Sequence, residues 1–264
     1  MDLALRGRLA LVTAASEGLG LAAALALAGE GCRVAVCARR PGPLAEARRR
    51  LLAAGAPEAW ALAADVDDPG QRAAMLAEVE ARLGPPDVLV ANCGNPAGGW
   101  VDEVGEEAWA DAWAKARAIV ELDRWAAARM AVAGGGAIVN VLSRTAVEPD
   151  SDLALSSVVR PALLAWGKML AVRAGPSGVR VVSVLPGLTR TAGVEEQLVR
   201  GAAPDALADP DALAAAAAAR QGVPLGRLGT PEAFGRLVAF LASPACDYVS
   251  GSAVRFDGGA VRAP

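Results

Sequence analysis

Leu9-Ala10-Leu11-Val12-Thr13-Ala14-Ala15-Ser16-Glu17-Gly18-Leu19-Gly20 runs from a strand, through a glycine-bearing turn, into a helix. The first four residues are an apolar run of strand length, and Leu19–Gly29 reads as the helix. Glycine lets a backbone come close to a pyrophosphate, and the N–H groups at a helix N-terminus attract its charge. A glycine loop alone is a weak signal, and its place between first strand and first helix gives it weight. Thr13, Ala15, Ser16, Gly18, Leu19 and Gly20 are therefore candidate phosphate-loop residues.

Outward from that turn, apolar runs alternate with helical stretches almost to the end of the 264-residue chain. Val34–Cys37, Ala59–Ala63, Val88–Ala91, Ala137–Leu142, Val179–Leu185 and Ala253–Phe256 read as strands. Helices are expected over Gly42–Ala54, Pro69–Leu83, Glu103–Val132, Leu153–Ala174 and Pro231–Ala242. Continuously apolar strands belong to a parallel sheet buried on both faces. The alternation implies right-handed crossovers and an α/β, Rossmann-like, doubly wound sheet of about seven strands. No linker or repeat divides residues 1–264, so one domain is expected. Residues 191–228 break the rhythm with an alanine-rich helix at Ala212–Arg220, and an insertion after a strand's carboxyl end borders the ligand crevice. This segment is the candidate substrate lid; an inert surface excursion is the alternative.

Four further turns lie at carboxyl edges of strands: Asp65-Val66, Asn92-Cys93-Gly94, Pro186-Gly187 and Asp257-Gly258-Gly259. Ligands of doubly wound sheets bind there. After the second strand stand Arg39 and Arg40, with no acidic residue beside them. Basic groups suit the 2′-phosphate of NADP, whereas NAD calls for a carboxylate, so NADP is the cofactor expected and NAD the runner-up. Glu17 argues the other way by placing negative charge in the phosphate loop.

Composition narrows the function classes. The chain is 54% hydrophobic and 21% charged, with a net charge of -3, which gives no attraction to nucleic acid or an anionic membrane. Arg6 and Arg8 precede an apolar stretch, but Glu17 interrupts it, and neither a secretory leader nor a membrane segment is expected. Cys32, Cys37, Cys93 and Cys246 lack metal-type spacing and read as reduced thiols of a cytoplasmic protein. The absence of histidine excludes a His-based triad and any His-ligated metal, and no metal site is expected.

In order along the chain, the Thr13–Gly20 loop, Ala91-Asn92-Cys93-Gly94, Pro186-Gly187-Leu188-Thr189-Arg190-Thr191, Arg227-Leu228-Gly229-Thr230-Pro231-Glu232 and Asp257-Gly258-Gly259 resemble the short-chain dehydrogenase/reductase family over nearly the whole length. Ala14 stands where the family loop has its first glycine. The nearest general likeness is to bacterial 3-oxoacyl-[acyl-carrier-protein] reductases. The resemblance implies that Asp65 and Val66 hold the adenine and Thr191 the nicotinamide carboxamide. It also implies a homotetramer, or a homodimer, built through the fourth and fifth helices.

The family's reaction uses an Asn-Ser-Tyr-Lys tetrad in which tyrosine moves the proton, lysine lowers its pKa and holds the ribose, and serine orients the carbonyl. Ser143 aligns with the serine, but the tyrosine and lysine positions are Ser156 and Arg160, and the asparagine position falls on Lys115. The only tyrosine, Tyr248, lies in the C-terminal tail, where it is expected to pack. A serine hydroxyl is far less acidic than a phenol, and arginine is permanently protonated, though its fork suits ribose hydroxyls or an anionic substrate. Lys115 is the candidate replacement acid, its pKa expected to be pushed down by burial and by Arg160. The alternative is a lysine paired with Asp111 or Glu148. Pro161 is expected to bend the helix after Arg160. Three readings follow: an NADP-linked oxidoreductase acting on a small, apolar molecule with Lys115 or water moving the proton; a non-redox lyase or isomerase; and a cofactor-binding pseudoenzyme.

Overall fold

Continuous runs of Val, Leu, Ala and Ile, each bounded by glycine or proline, produce seven strands, all parallel. The computed structural model describes residues 1–200 and 209–262. The strands are β1 (Leu9–Thr13), β2 (Arg33–Ala38), β3 (Ala59–Ala63), β4 (Val88–Ala91), β5 (Gly136–Val141), β6 (Val179–Pro186) and β7 (Ser252–Phe256). The helices are α1 (Gly18–Gly29), α2 (Pro41–Ala53), α3 (Pro69–Leu83), α4 (Glu106–Ala133), α5 (Ala154–Ala174), α6 (Ala192–Arg200), α7 (Pro210–Arg220) and α8 (Pro231–Ala242). The sheet order is β3-β2-β1-β4-β5-β6-β7, a doubly wound, Rossmann-like arrangement. Its order reverses between β1 and β4, which opens a crevice at the carboxyl edge.

Side-chain patterning follows from the layers. β1, β4 and nearly all of β5 are buried along their length, while edge strands β3 and β7 are partly exposed. Two apolar cores result. One lies beneath α3, α4 and α5, and the other beneath α1, α2 and α8. Helix starts are set by local chemistry: Asp68 accepts the Gln71 N–H ahead of Pro69, and Thr230 accepts that of Ala233 ahead of Pro231.

Several boundaries differ from the sequence expectation. α4 begins at Glu106 instead of Glu103, because the Glu103 N–H closes a turn on Trp100 O and Gly105 takes the N-cap. α6 was not expected at all. α5 continues as one helix through Pro161. α5 is also long and apolar enough to cross a membrane, contrary to the expectation of no such run, yet one face of it is buried in the protein. A core helix meets the same criterion.

Candidate active site

The carboxyl ends of β1 to β6 border one continuous cavity of about 770 Å³. Its wall near β1–β3 contains Ser16, Glu17, Gly18, Leu19, Arg39, Arg40, Asp65 and Val66. Asn92, Gly94, Pro186, Gly187 and Thr191 line it nearer β4–β6, together with Ser143, Ser156 and Lys115. Three of the cofactor-site candidates do not border it. Thr13 is buried, its hydroxyl donating to Asn92 O at 2.6 Å and accepting from Asn92 N at 2.9 Å, so it joins β1 to β4. Ala15 is buried, and its N–H donates to Cys37 O. Gly20 shapes the loop from behind: a Cβ there would lie 2.4 Å from Ala14 O. Only glycine allows that approach.

Among the described residues no side chain caps α1: Glu17 at the N-cap is extended and makes no cap bond. The N–H groups of the first helical turn are left for other acceptors. Glu17 instead accepts from Arg40 Nη2 at 2.8 Å, which neutralises the charge that spoke against a phosphate. Arg39 is exposed and forms no ion pair among the described residues. The Thr191 hydroxyl accepts from Val194 N at the start of α6.

Lys115 occupies the wall with both carboxylates it can reach. Its ammonium donates to Asp67 Oδ2 at 2.8 Å and to Asp111 Oδ1 at 2.7 Å. Burial pushes its pKa down, but the hydrogen bonds and charges of Asp111 and Asp67 outweigh burial and hold it above the ordinary lysine value. The expected depression is therefore corrected: the nearby charges are anions. The reading in which Lys115 pairs with Asp111 holds, and Asp67 joins it. Asp67 was missed because it lies 48 residues away in sequence, and its proximity arises only when α4 packs beside the β3–α3 turn. Burial raises the Asp67 pKa against the opposing effect of Lys115, and its Oδ1 is buried without a partner among the described residues.

The two residues in the tyrosine and lysine positions turn inward. Ser156 stays in the cavity wall, but its Oγ lies 2.8 Å from Thr145 Oγ1 on the buried side. Arg160 is 2% exposed and does not line the cavity. Its guanidinium donates to Gly94 O at 2.7 Å and Val141 O at 3.3 Å, and lies 3.9 Å from Cys93 Sγ. The expectation that its fork faces ribose or substrate is corrected, because the planar guanidinium meets carbonyls at the ends of β4 and β5 first. Ser143 accepts the Thr145 N–H at 3.2 Å, which leaves its hydroxyl hydrogen free to point into the cavity. Tyr248 does not pack: it is 100% exposed. Glu148, in the loop before α5, accepts the backbone N–H of Arg262 from the tail, and Arg144 pairs with Asp150 in the same loop.

Comparison with known proteins agrees with this architecture. Residues 13–261 match the family described as enoyl-(acyl carrier protein) reductase. Cis-4-hydroxycyclohexanecarboxylate dehydrogenase of Sinomonas cyclohexanicum is 34% identical over 266 residues, covering 96% of each chain. L-sorbose reductase from Gluconobacter frateurii, solved with NADPH and L-sorbose, superposes with a TM-score of 0.93 at 30% identity over 100% of both chains. A short-chain oxidoreductase from Pseudomonas aeruginosa PAO1, solved with NADPH and containing an atypical catalytic center, superposes with a TM-score of 0.85 at 29% identity, covering 97% of this chain and 98% of that one. The chain belongs to the short-chain dehydrogenase/reductase family.

Proposed function

We propose that the protein is an NADP(H)-linked oxidoreductase that reduces the carbonyl of a small molecule, with the Lys115 ammonium supplying the proton that a phenol supplies in its relatives. Bound nicotinamide provides the hydride. The residues present fit a dinucleotide: α1 offers uncapped N–H groups, Gly20 permits close backbone approach, and Arg39 has no competing ion pair among the described residues. The NADPH in two related structures supports the phosphorylated form. Pro96, Leu153, Leu188 and Val194 in the wall support a substrate that is mainly apolar around its carbonyl.

The carrying observation is the Lys115 ammonium in the cavity wall with two of its three hydrogens bonded to Asp67 and Asp111. The third remains for a substrate oxygen oriented by Ser143. An ammonium with a raised pKa is still far more acidic than an alcohol, so donation to a developing alkoxide is downhill. Asp111 is half exposed and returns a proton from solvent. Oxidation of an alcohol needs the neutral amine instead, which is scarce at neutral pH. The site therefore favours reduction.

Lys115→Arg tests this, because it keeps both ion pairs and removes the transferable proton. Carbonyl reduction, followed by nicotinamide absorbance, is expected to fall about 10²-fold or more, with NADPH affinity nearly unchanged. Oxidation by the parent is expected to rise up to tenfold per pH unit across the alkaline range, while reduction stays level through neutrality. Unchanged reduction by the variant removes Lys115 from the mechanism.

The inward turn of Ser156 and Arg160 favours a second reading, a cofactor-binding protein without turnover, which expects NADPH binding but no oxidation across a carbonyl panel. Under either reading residues 191–228 form the lid, of which 201–208 lie outside the described residues. Ala214, Ala217, Ala218, Val223 and Leu228 give it a small core of its own. We also propose a homodimer or homotetramer joined through α4 and α5, and a cytoplasmic setting in keeping with four free, buried thiols.

A further inference from the structure

Where α4, α5 and β5 meet behind the cavity lies a carboxyl group that the chemistry above does not use. Asp123 of α4 is 0% exposed. Its Oδ2 accepts from Asn140 Nδ2 of β5 at 2.8 Å and from Trp166 Nε1 of α5 at 3.0 Å. Its Oδ1 is buried with no partner among the described residues, and so is Oδ1 of Asn140, the amide already bonded to it. The groups that act on Asp123 are the Asn140 amide and the Trp166 indole, with no charged side chain from α4, α5, β5 or β6 among them. Ser183 of β6 lies beside Asn140 across Gly167. The two candidate-site cations on the same helices are bonded elsewhere: Lys115 to Asp67 and Asp111, Arg160 to Gly94 and Val141.

An ionised Asp123 would be a buried charge with no cation, beside two orphaned acceptors, which is an unfavourable arrangement. A protonated carboxyl has one O–H donor. A single hydrogen on Oδ1 satisfies both orphans at once, because a carboxylic acid and a primary amide pair through two bonds, O–H to amide oxygen and N–H to acid carbonyl. We infer that Asp123 is a positioning residue that keeps its proton in the native protein, donating it to Asn140 Oδ1 and so locking α4 to β5 while Trp166 locks α5 to the same carboxyl. Burial agrees in direction, pushing the Asp123 pKa up to about 7. The three elements joined here lead to Lys115, Ser143 and Ser156. Ionisation removes the donor and leaves a charge at their junction, so the geometry of the cavity wall loosens as the pH rises through neutrality.

Asp123→Asn tests the inference, since an amide keeps the planar shape and places an N–H where the O–H stood. The unfolded carboxyl ionises above about 4, whereas the native one holds its proton to about 7. Between these values rising pH favours the unfolded chain, and the folding constant of the parent falls by up to tenfold per pH unit relative to the variant, levelling off above. Denaturant unfolding of both proteins across that range reads this difference. The parent is also expected to show the infrared carbonyl band of a protonated acid at about pH 5, absent in Asp123→Asn and lost from the parent across neutrality. Asp123→Ala, which has no group to close the ring, is expected to be less stable than Asp123→Asn at every pH. Should Asp123→Asn not fold, Trp166→Phe decides: removing a donor to the carboxyl shifts the infrared titration upward. A pH-independent difference in stability, a missing acid band, or a titration unmoved by Trp166→Phe overturns the inference. These readouts need no turnover, so they stand or fall separately from the proposed reaction.

Discussion

Ala14 holds φ at +47°, a left-handed angle that disfavours any side chain with a Cβ. It occupies the place where the family loop carries a glycine, and its carbonyl packs under Gly20 and accepts from Asn92 Nδ2. Ala14→Gly is expected to stabilise the fold by about 0.5–1 kcal/mol, the relief of backbone strain exceeding the entropy added to the unfolded chain. Denaturant unfolding measures it, and a loss of stability would show that Ala14 is not strained. Other residues were legible by type but not by surroundings. The sequence placed Lys115, Ser156 and Arg160 at the tetrad positions, yet gave Lys115 the wrong direction of pKa shift. The reason is distance along the chain: Asp67 is 48 residues from Lys115, and Gly94 is 66 from Arg160. A spacing rule reaches one turn of helix and no further.

Elements were read best where turn chemistry and a buried face coincide. β3, β4, α3 and α8 match the expected limits, since proline, capping residues and apolar runs mark them together. α6 escaped notice because it is only nine residues long and its apolar stripe is just Val194 and Leu198, half-buried against the core of α7 and not against the sheet. Its position depends on Arg190, which donates to Glu195 of α6 at 2.6 Å and also pairs with Asp211 of α7. Exposed pairs of this kind contribute about 0–1 kcal/mol each. Arg190→Ala is therefore expected to leave the melting temperature nearly unchanged. Proteolytic cleavage within residues 192–220 is expected to rise several-fold, and the KM for a carbonyl substrate to rise with little change in kcat. If cleavage stays at the parental rate, Arg190 does not fasten the proposed lid.

Across the whole molecule, one exposed feature points outward from the candidate site. Val158, Ala162, Ala165, Met169 and Val172 form a stripe along the solvent side of α5, with successive members three or four residues apart. Such a stripe covers poorly in water and well against a copy of itself. Replacing Met169 and Val172 together by Glu is expected to shift the sedimentation mass to that of a monomer. A parent chain that already sediments as a monomer would exclude the proposed assembly.

The Thr13–Asn92 contact carries a consequence for how the molecule is made. β1, β2 and β3 are linked by short crossovers, and they can come together early. The crevice, however, lies where β1 meets β4, and the residues bonded across that seam are 79 apart in sequence. Long loop closures are slow steps in folding because entropy is lost before contacts form. A nascent chain that has assembled only its first three strands thus has half a sheet and no nucleotide groove, and ligand can stabilise the protein only after that distant seam has closed.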